Sequence, residues 1–215
     1  MNHFIENNFS YIKKSIPKWV KILVVSKNQD IFSIKKLYQI GHRDFGENYV
    51  QEMLKKYKKL PKDIRWHMIG RIQSNKLKHI IPFIHLIHSV QKFEHIEIIN
   101  KIGLKYNRVI HCLLQIKIGE EPSKSGITNH EAIYILEKIM NMKNIKIKGL
   151  MGMSSFHENM EKIYEEFVFL QKLYNFYKKR FQFNILSMGM SRDYNIAIKC
   201  GSTMIRLGTS IFRKN

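Results

Sequence analysis

The chain has 215 residues, with 37 Lys and Arg against 17 Asp and Glu, a formal net charge of +20 and only four prolines. Its length suits one α/β barrel, and without a Pro-, Gly- or Ser-rich stretch to act as a linker, residues 1–215 are expected to form one domain. No window approaches the ~18 uninterrupted apolar residues of a membrane span, and MNHFIENNFSYIKKSIPKW lacks a signal peptide's apolar core, so a cytoplasmic protein with no membrane partner is expected.

An extra N-terminal helix is expected first. Beyond it, short apolar runs alternate with longer amphipathic stretches, the pattern of repeated βα units around a parallel sheet. Strands are expected at 20–26, 44–47, 66–69, 85–89, 110–116, 147–151, 185–188 and 204–207. Helices are expected at 31–40, 49–57, 74–81, 93–104, 129–142, 158–179 and 192–199, with Asn129 and Ser191 as caps. Eight strands close a (β/α)8 TIM-type barrel, which suits this α/β pattern better than a doubly wound sheet.

The lysine clusters at 55–59 (KKYKK) and 76–79 (KLKH) fall in helices and are expected to be solvated faces. A charge of +20 would attract nucleic acid. Lys, Ile and Asn, however, all have A/T-rich codons, so base-composition drift accounts for the lysines. The aromatics interleave with Ile and Leu as core residues do, rather than standing free for base stacking. No nucleic-acid partner is expected. Cys112 and Cys200 lack a CxxC spacing and are expected to be reduced core thiols. His85 and His88, three apart in a strand, would face opposite sides, so no metal site is expected there.

Barrel chemistry gathers at the C-terminal ends of the strands, with phosphate commonly held after the last two. Lys27 stands after the first strand, Gly46-Glu47-Asn48 after the second and Gly70 after the third. Gly189-Met190-Ser191 follows the seventh and Gly208-Thr209 the eighth. Glycines admit a close phosphate, while Ser and Thr hydroxyls and helix N–H groups donate to it. Each glycine alone could merely make a tight βα turn. Together with one lysine at a strand end, the set describes what a covalently bound pyridoxal phosphate requires. Schiff-base formation needs the neutral amine, which costs an unperturbed lysine about 4–5 kcal/mol at pH 7; burial of Lys27 at the barrel mouth would lower that cost. Arg206 shares a strand face with Gly208 and so points into the barrel. Its acceptor is either a pyridine nitrogen or a barrel carboxylate such as Glu47.

The blocks VVSK around Lys27, FGENYVQE (45–52), WHMIGRIQSNK (66–76), EPSKSG (121–126), KGLM (148–151), LSMGMSRD (186–193) and GSTMIRLGTSIF (201–212) give the chain its family resemblance. Over most of its length it resembles the pyridoxal phosphate homeostasis protein family, single-barrel relatives of the alanine racemase N-terminal domain. The resemblance implies Lys27 as the Schiff-base lysine, Met190, Ser191, Gly208 and Thr209 around the phosphate, Arg206 at the pyridine nitrogen and Asn48 near the ring. Lys124 matches a lysine that could hold cofactor secondarily, beside the simpler reading of an ordinary loop lysine. The implied role is intracellular vitamin B6 homeostasis, as a carrier or regulator without turnover, with pyridoxal-phosphate-dependent apoenzymes as partners. Two departures stand out: Asn28-Gln29-Asp30 replaces the usual Thr and Pro after Lys27, and GMSSF follows KGLM where a proline-containing segment is typical.

Racemases on this barrel take a second base, a tyrosine, from an additional domain of the partner subunit. The chain reads to Asn215 without one, so no enzymatic activity is expected, and a monomer is. Tyr49 and Tyr194 are the candidates left for such a base. A weak amino-acid racemase or lyase and a basic RNA-binding protein are the alternatives.

Overall fold

A computed structural model of the chain describes residues 3–119, 125–156 and 159–213. Helix α1 (Phe4–Ser15) precedes the strands β1 (Lys21–Val25), β2 (Asp44–Glu47), β3 (Arg65–Met68), β4 (Leu86–Val90), β5 (Ile110–Gln115), β6 (Ile145–Met151), β7 (Ile185–Met190) and β8 (Met204–Leu207). They pair in sequence order, all parallel, and β8 closes on β1 to complete the barrel. The intervening helices are α2 (Ile31–Gln39), α3 (Val50–Lys59), α4 (Leu77–Ile80), α5 (Phe93–Lys105), α6 (Asn129–Lys138), α7 (Met160–Phe181) and α8 (Tyr194–Lys199), and α9 (Thr209–Phe212) follows the last strand. This is the expected (β/α)8 architecture, with its extra N-terminal helix.

Alternation along each strand sends neighbouring side chains to opposite faces of the sheet. Val24, Phe45, Trp66, Ile87, Cys112 and Ile205, all fully buried, face the helices and belong to one core. The interior is different. TIM-type barrels usually fill their centre with branched aliphatics, but here a small cluster of Leu86, Leu113 and Met151 shares the interior with the buried polar side chains of His67, His88, Gln115, Ser187 and Arg206.

Several local expectations are corrected. The 74–81 segment is a 3-10 turn (Ser74–Lys76) running into the single-turn α4. Thr128, not Asn129, caps α6: its hydroxyl accepts from the Glu131 N–H, and the Glu131 carboxylate accepts from the Thr128 N–H. Asp193, not Ser191, stands at the N-cap of α8. The KKYKK run is not wholly solvated, because Lys56 is buried between α3 and the barrel. Position 158, expected to start the helix that forms α7, lies outside the described residues. Both cysteines are buried and free.

Candidate functional site

A cavity of about 630 Å³ opens at the C-terminal pole of the barrel. Lys27, Asn48, Met190, Ser191, Arg206, Gly208 and Thr209, contributed by four separate segments of sequence, all line it. Lys124 lies outside the described residues. The described lining carries five cations, Lys27, Arg71, Arg192, Arg206 and Arg213, and no carboxylate. A concave, acid-free surface with that many cations focuses a positive field on whatever enters.

Lys27 is exposed at the mouth, not buried as the Schiff-base argument expected. What is buried is the support beneath it. Lys56 Nζ donates to the Ser26 carbonyl at 2.6 Å, to Glu47 at 2.8 Å and to Glu52 at 2.6 Å. Glu52 also accepts the Asn28 N–H at 2.7 Å, stabilising that residue's left-handed φ of 60°. Burial pulls the Glu47 carboxyl above its ordinary range, opposed by the hydrogen bonds from Lys56 and Ser26. The residues flanking Lys27 are therefore pinned on both sides, while its own side chain is left to reach the cavity. Glu47 is thus committed to Lys56 and Ser26, and the ion pair with Arg206 that the sequence left open does not form.

Arg206 is buried and points inward. Its Nη1 donates to the Ser187 carbonyl and hydroxyl, each at 2.9 Å, and its Nη2 to the Gly152 carbonyl at 2.9 Å. Burial without a directly bonded carboxylate lowers it to about 10, partly offset by Asp193, and leaves it cationic at neutral pH. Its Nε takes no partner from the described residues and remains available to a ligand.

From Arg206 a chain of buried side chains crosses the barrel. Ser187 Oγ lies 3.3 Å from His88 Nδ1, His88 Nε2 lies 3.0 Å from His67 Nδ1, and His67 Nε2 lies 3.1 Å from Asp44 Oδ1. Burial would raise the Asp44 carboxyl, but hydrogen bonds from Arg65 and His67 outweigh it and hold Asp44 well below the usual range. An ionised Asp44 only accepts, which places the His67 proton on Nε2; its Nδ1 then accepts from His88 Nε2–H, and His88 Nδ1 accepts from Ser187. Burial depresses both histidines, consistent with neutral rings and one fixed direction of donation from Arg206 to Asp44.

On the other side of the cavity, Ser191 and Ser210 hydroxyls meet at 3.1 Å, and the Ser210 N–H donates to Ser191 Oγ at 3.2 Å. The Ser191 and Thr209 amides keep no acceptor among the described residues. A Cβ on Gly208 would stand 3.2 Å from the Val25 carbonyl, so glycine keeps this wall close and bare. Asp193 accepts the Met190 N–H at 2.6 Å and ties the turn leaving β7. Gly189, at φ +95°, lets α8 pack against that turn, since a Cβ there would lie 2.6 Å from Ala197 Cβ.

Sequence reasoning missed Arg71, Gln91, Gln115, Arg192, Ser210 and Arg213, all in or beside this cavity. Gln91 donates to Gln115 at 2.8 Å, and Gln115 donates to the Ser125 carbonyl at 2.8 Å. Arg71, Arg192 and Ser210 lie inside the blocks that carry the family resemblance, and Arg71, Gln91 and Gln115 sit at or just beyond the ends of β3, β4 and β5, where the strand-end rule already pointed. Neither Tyr49, which is 63% exposed, nor Tyr194 lines the cavity.

Comparison with known proteins matches residues 3–215 to the family described as alanine racemase, N-terminal domain. A pyridoxal phosphate homeostasis protein of Synechocystis sp. is 36% identical over 97% of this chain and 98% of its own length. That of Pasteurella multocida is 33% identical over 97% of this chain and 96% of its own. The solved structure of PipY from Synechococcus elongatus with PLP bound superposes with a TM-score of 0.90 at 29% identity, covering 97% of this chain and all of that one. Alanine racemase of Clostridium difficile shares the fold at 13% identity and a TM-score of 0.82, with 56% of its chain covered. The chain belongs to the pyridoxal phosphate homeostasis protein family, whose barrel is that of the alanine racemase N-terminal domain.

Proposed function

We propose that this protein binds pyridoxal 5'-phosphate in the C-terminal cavity, holds it through a covalent link to Lys27, and serves intracellular vitamin B6 homeostasis as a carrier or regulator rather than a catalyst. The observation that carries the reading is the acid-free cavity with five cations, hydroxyls and free amides along one wall and a reachable lysine at its mouth. That donor set suits a phosphate at one end and an amine-reactive carbonyl at the other. PipY, solved with PLP bound, supports the ligand, and the names of the relatives support the role.

Bound there, pyridoxal phosphate supplies an aldehyde that condenses with amines and a ring that withdraws electrons. Ser191, Thr209 and Gly208 would hold the phosphate, with Met190 beside them, and Asn48 would lie near the ring. Arg206, assigned to the pyridine nitrogen, can only donate, so it would keep that nitrogen unprotonated and weaken the ring as an electron sink. The described lining offers no tyrosine, histidine or carboxylate as a second base opposite Lys27, which supports binding without turnover.

The test is the visible spectrum of purified protein with added pyridoxal phosphate, followed by borohydride reduction and peptide mass mapping. A yellow species trapped on Lys27 and lost in Lys27→Ala is expected. A protein that stays colourless and traps nothing specific overturns the assignment. Lys27-dependent racemisation of alanine by the pure protein would instead move it to the enzymes.

A further inference from the structure

At the opposite, amino-terminal pole, the first residues of the strands surround a second cavity of about 430 Å³. Lys21, Arg65 and Lys148 line it together with His67, His85 and His111, and Asp44 is the one carboxylate in its described lining. Asp44 is already engaged by Arg65 at 2.5 and 2.8 Å and by His67 at 3.1 Å. The side chains of Lys21, Lys148, His85 and His111 have no hydrogen-bond or ion-pair partner among the described residues.

Lys148 is placed there by a bulge. Cys112 pairs with Ile147 and Leu113 with Gly149, so Lys148 is the extra residue of β6. Bulges re-aim a side chain at the cost of a ladder irregularity. Gly149 makes this one possible, with φ +153° and no room for a Cβ, which would stand 1.7 Å from the Ile185 carbonyl. The aimed side chain is a lysine with no acid bonded to it among the described residues. Its field is felt locally: burial, then Lys148 and Lys146, depress His111, while burial and the neighbouring His67 hold His85 down to about 4.

With Arg65 paired to Asp44, Lys21 and Lys148 are left without a counter-charge and repel one another unless one enters. A metal ion is the wrong complement, although ligand atoms of Asp44, His67 and His85 lie within 4.8 Å of one another. It would have to displace Arg65 from Asp44 and settle among like charges. We propose that this pole is a second binding site that takes a small phosphate-class anion, with Lys21, Lys148, His85 and His111 as its donors. A volume of about 430 Å³ is ample for a free phosphate or a phosphomonoester. The proposal is independent of the ligand assigned to the other pole.

Its test follows the ring-proton NMR signals of His85 and His111 as inorganic phosphate is titrated at ionic strength held constant with sodium chloride. Both signals should move saturably, and both titration midpoints should rise by about one unit, because a bound dianion favours the protonated rings. The Lys21→Gln/Lys148→Gln variant, with folding checked by circular dichroism, should bind at least roughly tenfold more weakly. Phosphate entering the cofactor cavity leaves these two reporters unmoved, so failure at one pole is distinguishable from failure at the other. Shifts that never saturate, that chloride reproduces or that survive in the double variant would overturn the site. So would signals that respond to a short RNA and not to phosphate.

Discussion

Lys56 is the side chain on which the turn carrying Lys27 depends. It is buried, and it satisfies the Ser26 carbonyl and two carboxylates at once. Removing one member of a buried ion pair strands the other, typically at about 3–5 kcal/mol. Lys56→Met is therefore expected to destabilise by that order in urea unfolding, and Glu47→Gln added to it should recover part of the loss by removing the stranded charge. The relay between Arg206 and Asp44 makes a second prediction at this scale. At pH 6 an unperturbed histidine with pKa 6.5 is mostly protonated, whereas both His67 and His88 should remain neutral, each with its proton on Nε2. Nitrogen-15 shifts of the two rings check this directly, and a protonated His88 at pH 6 would contradict the assigned direction of donation.

Helix α1 lies far from the cavity in sequence but is joined to it at the other end of the chain. Asn8 donates to the Ile211 carbonyl at 3.2 Å and to the Arg213 carbonyl at 3.1 Å, clamping α9, whose first residue is Thr209. Two net hydrogen bonds are worth roughly 1–2 kcal/mol. Asn8→Ala should cost about that in thermal unfolding and weaken pyridoxal phosphate several-fold by fluorescence titration, while Lys27 still traps the ligand under borohydride. This clamp was not legible in the sequence, because a lone Asn in an amphipathic helix carries no signal of a partner about 200 residues away. What could be read was periodic or local. The eight strands showed as apolar runs, and the cavity lining showed wherever glycine and hydroxyl residues followed a strand. Lys56 was hidden inside a lysine run whose other members are partly or fully solvated. The Asp44, His67, His88, Ser187 and Arg206 relay was hidden because each residue comes from a different strand. Only the closed barrel, with its inward alternation, brings them into one line.

For the whole molecule, the depressed histidines link folding to pH. His42, packed between Phe9 and Phe45, is lowered by burial to about 4, against an ordinary 6.5. A group whose folded pKa is depressed below its unfolded value binds fewer protons when folded, so stability falls as pH drops through 6.5 toward 4. For His42 alone the loss by pH 5 is on the order of 2 kcal/mol, and the buried His67 and His88 add to it in the same direction. Glu47, whose carboxyl is raised, opposes the trend. Asp44, held well below its usual range, contributes stability that is lost only as pH falls below the ordinary carboxylate range, beneath this window. The formal charge of +20 adds self-repulsion that grows as any exposed histidine protonates, and salt screens it. Urea unfolding between pH 7 and 5 at two salt concentrations separates the two causes. A buried-histidine origin predicts a steep loss of stability that persists at high salt and flattens in His42→Gln. If high salt abolished the slope, surface charge rather than the packed histidines would set the acid limit of this fold.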